Sequence, residues 1–221
     1  MTTSQPIALV PVRDPRLAKT RLAGVMSVDA REVLVGAMLA DVIHALAGAG
    51  LSRIVVLASG AGAAAAAAAL GVDVLRDPPG EHGLNAALSA AAGRIRAHAS
   101  LVVPADLPCL HPRDVVALLG TPGEVVVAPT HDGGTGALLR RPAWAIETGY
   151  GVRSAARHLL SARNAGLAAE RVDIPGFAGD VDDAQDLIAA RDSGSLGKVT
   201  SHVLHGDIQL RLPKPQDAGT A

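Results

Sequence analysis

The chain has 221 residues, a net charge of -1, a single cysteine and only 1% aromatic residues. That charge leaves no basic field to hold a nucleic acid, and one cysteine excludes an internal disulfide and a multi-cysteine zinc site, while the length suits one α/β domain. No charged and then apolar leader opens the chain, and Pro, Gly, Arg or Asp breaks every apolar stretch short of membrane-spanning length. A cytoplasmic protein with neither a membrane nor a nucleic-acid partner is therefore expected.

Pro6 to Pro11 (PIALVP) has the pattern of a buried parallel strand, ending at a loop rich in Arg, Asp, Pro and Lys. Val28 to Ala49 has helical spacing, with Ser27 as N-cap and Gly50 as the stop. Arg53 to Ala58 gives a second strand, and the alanine run Ala61 to Leu70 a helix thin enough to lie close to a sheet. Val72 to Leu75 (strand), Asn85 to His98 (helix), Ser100 to Val103 (strand), a helix opened by Pro112 and Glu124 to Ala128 (strand) continue the alternation. Such a rhythm predicts a mostly parallel, doubly wound α/β sheet.

Beyond Ala128 the rhythm loosens. Gly133 to Leu139 reads as a loop entering a strand, Val152 to Ala165 as a helix, Arg171 to Ile174 as a strand and Asp183 to Arg191 as a helix. These are expected to form a small insertion covering the sheet edge, so that residues 1–191 make one domain. Residues 192–221 are expected to be a tail, partly disordered or with a hairpin over Val199 to Leu212.

Open α/β sheets bind ligands outside the carboxyl ends of their strands. After the first strand, VRDPRLAKTRL places Arg13, Arg16, Lys19 and Arg21 within nine positions against Asp14 alone, which suits an oligophosphate or a solvated basic loop. Neither a P-loop nor a dinucleotide fingerprint is present. After the third strand, Gly80 and Gly83 allow close backbone approach, and Asn85 offers an amide able to read a base or ribose edge or simply to cap a helix. After the fourth, Asp106 sits between Pro104 and Pro108, a cap or a ligand for a hard cation. A second acidic group lies in GDVDDAQDL, where Asp180 and Asp182 alternate about Val181 and Asp183 is placed to cap a helix. Between them, Gly/Thr/Ser-rich stretches with Arg153 and Arg157 suit a second, smaller anion. His82, His131 and His158 show no triad arrangement, and for His158 packing outweighs catalysis.

Together LVPVRDPRLAKTRLA, RDPPGEHGLNAAL, VVPADLP, DGGTGALL, GYGVRSAARHL and DVDDAQDL resemble, in order over about residues 7 to 190, the 2-phospho-L-lactate or phosphoenolpyruvate guanylyltransferases of coenzyme F-420 biosynthesis. These are MobA-like, Rossmann-like nucleotidyltransferases of GT-A type. The resemblance implies GTP as donor, Mg²⁺ as cofactor, a small phosphorylated three-carbon acid as acceptor, and an insertion covering the acceptor site. On matching positions it implies a metal pair of Asp106 and Asp182, with Lys19 and Arg21 joining Asp106 in catalysis and Asp180 as a neighbour. Leu9, Pro11, Val12, Arg13, Lys19, Gly83 and Asn85 fall at the nucleotide, and Thr135, Gly151 and Ser154 at the acceptor. Arg13 replaces a common lysine, and DVDDAQDL lacks the usual Thr-Pro, which leaves its helix start open. A homodimer is compatible with the sequence, which does not set the oligomeric state. Alternatives are a related nucleotidyltransferase acting on molybdopterin or a sugar phosphate, disfavoured by the lack of a Gly-rich first loop, a glycosyltransferase using Asp180-Val181-Asp182, and a non-catalytic GTP-binding protein.

Overall fold

The computed structural model describes residues 5–76 and 83–206. Gly80 and His82 lie outside these residues, as do positions 207–221 of the tail. One sheet of seven strands runs in the order β3-β2-β1-β4-β6-β5-β7. Its strands are β1 (Ile7–Val12), β2 (Ile54–Ala58), β3 (Asp73–Arg76), β4 (Ser100–Val102), β5 (Val125–Pro129), β6 (Thr135–Arg140) and β7 (Ala169–Arg171). The helices are α1 (Val28–Gly48), α2 (Ala61–Ala69), α3 (Leu84–Arg94), α4 (Pro112–Gly120), α5 (Ser154–Asn164), α6 (Pro175–Ala178), α7 (Ala184–Asp192) and α8 (Lys198–Gly206).

Strand periodicity divides the core. In β1, Ala8, Val10 and Val12 face a core shared with α1, α2, α4, α7 and α8, while Ile7 and Leu9 face a second core shared with α3 and α5. β1 pairs in parallel with β2 and β4, Leu9 standing opposite Val55 and Val102. Ala63, Ala64 and Ala67 of the alanine run are buried, as the packing reading of that stretch requires. The Ser27 Oγ accepts from the Ala30 N–H, capping α1. Among the described residues no helix is long and apolar enough to cross a membrane.

The second half departs from the expected insertion. β6 is antiparallel to both β4 and β5 and lies between them, Leu138 opposite Val102 on one side and Val127 on the other. A tight turn makes this possible: the Thr130 N–H donates to the Gly134 carbonyl, with Gly133 at a φ of 86°. A strand buried along its whole length reads the same in either direction, so alternation with helices could not reveal the reversal. Of the strands β5, β6 and β7, β7 alone lies at a sheet edge, and it covers Ala169–Arg171 rather than Arg171 to Ile174.

The expected hairpin is also corrected over its described part, which is helix α8. Thr200, Val203 and Leu204 are buried, a helical spacing that resembled alternation in so short a run. Asp41, buried in α1, caps α8: its two oxygens accept from the Val199 N–H at 3.0 Å and the Thr200 N–H at 2.8 Å. The Gly197 N–H donates to the Pro108 carbonyl, and a Cβ at Gly197 would collide with the Asp41 carboxylate. Residues 192–206 thus fold against the domain. Replacing Asp41 by Ala is expected to cost about 2 kcal/mol of stability, the upper end for a lost cap, and to speed amide exchange at Val199 and Thr200. Urea unfolding and hydrogen exchange check the two effects.

Candidate active site

The loop after β1 is tied down before it reaches the cleft. Asp14 accepts from the Arg16 N–H, Ala18 and Leu22 are buried, and the buried Arg31 donates to the Ala18 carbonyl at 2.9 Å. Those anchors leave Lys19 at φ 51°, ψ 41°, the left-handed region that side chains seldom occupy, just before a 3-10 turn over Thr20–Leu22. That conformation carries Nζ to 2.5 Å from Asp106 Oδ2 and 2.8 Å from Asp182 Oδ1. Burial works against the ammonium, but Asp106 and then Asp182 outweigh it and hold Lys19 above its ordinary pKa.

Asp106 and Asp182 come from segments far apart in sequence. β4 ends at Val102 and the chain turns through Pro104-Ala105-Asp106, where the Asp106 carbonyl accepts from the Val181 N–H at 3.0 Å. Val181 is fully buried, so Asp180 and Asp182 flank it on the cleft side as their alternation predicts. No strand forms there; that one bond sets the register. Asp183 caps α7, accepting from Gln185 and Asp186, while Asp186 accepts from the Asp182 and Asp183 N–H groups. This capping box supplies the helix start that a Thr-Pro pair would otherwise set.

The carboxylates are under electrostatic load. Asp106 Oδ1 is buried without a hydrogen-bond partner. Asp180 is pushed up to about 7 by its burial first and then by Asp106, Asp182 and Asp132. Asp132, which lies in the β5–β6 turn and accepts from Thr130 and the Gly134 N–H, is therefore close enough to add to the field. Among the described residues no group of three or more His, Cys, Asp and Glu side chains is arranged to hold a metal. The Asp106 and Asp182 pair alone matches the one or two carboxylates that Mg²⁺ takes from proteins.

At the start of β6, the Thr135 Oγ1 lies 2.9 Å from Ser154 Oγ and 3.1 Å from His158 Nδ1, all three side chains being buried. His158 Nε2 accepts from the Gly149 N–H at 2.9 Å, which assigns the ring proton to Nδ1 and directs it at Thr135. Burial, then Arg140 and Arg157, lower the His158 pKa to about 4, so the ring is neutral near pH 7. Arg157 donates to the Gly149 carbonyl at 2.7 Å, Gly151 has φ 132°, and the Ser154 N–H donates to the Gly151 carbonyl. Asn85 joins this loop to α3: its amide accepts from the Tyr150 N–H at 2.8 Å and donates to the Tyr150 carbonyl at 3.1 Å.

The structure thus brings Lys19, Asp106 and Asp182 together, and Thr135 and Ser154 together with Gly151 beside them. Arg13 and Arg21 are exposed on the first loop. Gly83, at φ 106°, precedes α3. Leu9 is buried in the core and its carbonyl accepts from the Val103 N–H, whereas Pro11 is half-buried and Val12 ends β1. Sequence reading passed over Asp132 and Tyr150; the Asp-Gly-Gly turn was the available signal for the first, and none marked the second.

Residues 7–202 match the family model described as "Guanylyl transferase CofC like". The chain is 39% identical to a phosphoenolpyruvate guanylyltransferase from Roseiflexus sp. (strain RS-1), over 82% of each chain. It is also 39% identical to a 3-phospho-D-glycerate guanylyltransferase from Phenylobacterium zucineum, over 92% of this chain and 97% of that one. Its fold superposes on a candidate nucleotide-diphospho-sugar transferase from Desulfovibrio desulfuricans G20 with a TM-score of 0.70, at 18% identity over 90% and 94% of the two chains.

A base held neutral has a stability signature. With its pKa lowered from 6.5 to about 4, His158 takes up a proton in the unfolded chain before it does so in the fold, so its contribution to stability is lost as pH falls through that window. The loss is roughly 3 kcal/mol for a shift of this size. Asp180, raised to about 7, acts with the opposite sign in an overlapping window. The comparison to make is therefore wild type against His158→Gln: the variant should lose less stability between pH 6.5 and 4, measured by urea unfolding at each pH.

Proposed function

The chain belongs to the guanylyl transferase CofC-like family and is a nucleotidyltransferase; from that premise we propose that it moves GMP from GTP to the phosphate of phosphoenolpyruvate. Pyrophosphate leaves and enolpyruvyl-diphospho-5'-guanosine forms, in the cytoplasmic synthesis of coenzyme F-420. The observation that carries this reading is the juxtaposition of Lys19, Asp106 and Asp182 at the carboxyl ends of β1 and β4 with the Thr135–Ser154 pair at the start of β6 and α5.

Two polyanions must meet. The attacking group is a phosphate oxygen of the acceptor, anionic near neutral pH, so the reaction needs alignment and charge neutralisation rather than a general base. A neutral, fully engaged His158 supports that reading. Lys19 is the cation nearest the carboxylates, and Arg13 and Arg21 add positive charge along the loop that would face the triphosphate. Thr135 and Ser154, with the backbone at Gly151, would hold the acceptor's phosphate and carboxylate.

Asp106, whose buried Oδ1 lacks a partner, and Asp182 would hold Mg²⁺. Bound there, the ion would neutralise charge on the phosphate oxygens as pyrophosphate departs. Phosphoenolpyruvate is favoured by the Roseiflexus relative, while the Phenylobacterium relative makes 3-phospho-D-glycerate the second reading. 2-Phospho-L-lactate carries the same phosphate and carboxylate.

A pyrophosphate-release assay with each nucleoside triphosphate against the three acceptors, followed by the mass of the product, tests donor and acceptor together. GTP with phosphoenolpyruvate is expected to give the largest kcat/KM. GTP binding without pyrophosphate release from any acceptor would leave only the non-catalytic alternative. Asp106→Asn is expected to lower kcat by about a hundredfold or more with an unaltered circular dichroism spectrum; unchanged turnover would sink the metal assignment.

A further inference from the structure

Asn85 does something other than what a lone amide near a nucleotide cleft suggests. It lies in the first turn of α3, and both ends of its amide are spent on the backbone of one residue, the N–H and the carbonyl of Tyr150. Tyr150 belongs to the loop between β6 and α5. The Tyr150 ring sits edge-on to His158, with centroids 5.2 Å apart, and its hydroxyl is buried. The backbone of the adjacent Gly149 is held on both sides too, its N–H by His158 Nε2 and its carbonyl by Arg157. From His158 the chain of contacts continues to Thr135 and Ser154. A continuous set of hydrogen bonds therefore runs from the start of α3 to the hydroxyl pair across the cleft.

We propose that Asn85 is a positioning residue that fastens the Gly149–Tyr150 strap to α3 and so couples occupancy of the nucleotide side to occupancy of the acceptor side. The proposal deepens the guanylyl-transfer reading and rests on it for the identity of the two ligands. Its physical basis is geometric. The strap carries Gly149, whose N–H fixes the His158 ring, and leads into Gly151, whose carbonyl accepts from Ser154 at the head of α5. On the guanylyl-transfer reading the nucleotide lies against the start of α3; ordering that turn would lower the cost of ordering the strap, and through it the Thr135–Ser154 pair, and by linkage the acceptor would do the same for the nucleotide. An asparagine suits this task because its amide offers a donor to the Tyr150 carbonyl and an acceptor to the Tyr150 N–H. Aspartate keeps the acceptor for the Tyr150 N–H and loses the donor to its carbonyl.

The test uses the whole protein, phosphoenolpyruvate, and a GTP analogue with a methylene bridge between its α and β phosphates, so that both ligands bind without reaction. In the wild type the analogue is expected to tighten phosphoenolpyruvate binding by about tenfold, within the usual range of coupling. Asn85→Ala should lose the tightening, whatever its affinity for the analogue alone, and show faster hydrogen exchange at the Tyr150 amide. Asn85→Asp should restore protection of that amide and part of the coupling; it also carries the test should the alanine variant fail to fold. A large loss of analogue binding in the absence of acceptor, with Tyr150 still protected, would make Asn85 a nucleotide contact and overturn the proposal. Coupling equal to wild type in Asn85→Ala would overturn it as well. If the wild type neither binds these ligands nor releases pyrophosphate, the guanylyl-transfer reading fails, while Tyr150 exchange still decides whether Asn85 holds the strap.

Discussion

The site depends on one ammonium placed between two carboxylates. Asp106 and Asp182 repel each other, and Asp106 is largely withdrawn from water, so their approach needs a cation. Lys19 provides it at the expense of a left-handed backbone, a strain tolerated because Ala18 and Leu22 on either side are anchored in the core. The hydrogen bond from Val181 to the Asp106 carbonyl then fixes the two acidic segments side by side. The loop after β1, the turn after β4 and the entry to α7 are in this way parts of one electrostatic unit. Asp180 shows the load on that unit, since its carboxyl is held near neutrality.

The reversed strand gives this unit its partner. Because β6 runs antiparallel, its first residue, Thr135, emerges at the same end of the sheet as the carboxyl ends of β1 and β4. A parallel strand in that position would have delivered its last residue there instead. Gly136 fits the arrangement: the Phe177 carbonyl packs where any Cβ would stand, so α6 can lie directly against β6. From α6 the Ala178 carbonyl accepts from the His131 N–H at 2.9 Å, tying the β5–β6 turn to the chain just before Asp180. Hydroxyl pair and acid pair are thus held by adjoining pieces of backbone.

What could be read in advance followed from local patterning. The first five strands and the long α1 with its Ser27 cap were legible, because apolar runs and caps carry their signals in a few adjacent residues; the pairing of Asp106 with Asp182 came from the family resemblance and not from local pattern. The direction of β6 was not legible, since strand polarity is decided by the Thr130–Gly134 turn and by partners distant in sequence. Nor was α8, whose placement depends on Asp41, a buried acid that looks like any charged residue in a helix until its partners are known. His158 marks the boundary between the two cases. Its packing role was favoured from sequence, but the bond that orients Thr135 belongs to tertiary structure alone.

That bond also limits what the hydroxyl pair accepts. With its proton on Nδ1, His158 donates to Thr135 Oγ1, and one of Thr135 and Ser154 donates to the other. One hydroxyl hydrogen is then left over, not used among these three side chains. The pair is consequently a donor station, joined by the amides at the head of α5 and backed by the exposed Arg153 and Arg157. Hydroxyl and backbone N–H donors beside guanidinium groups are the elements from which an anion site is built. Protonating His158 would break the acceptance from Gly149 without adding a donor toward the cleft, so a neutral ring is part of how the station is built.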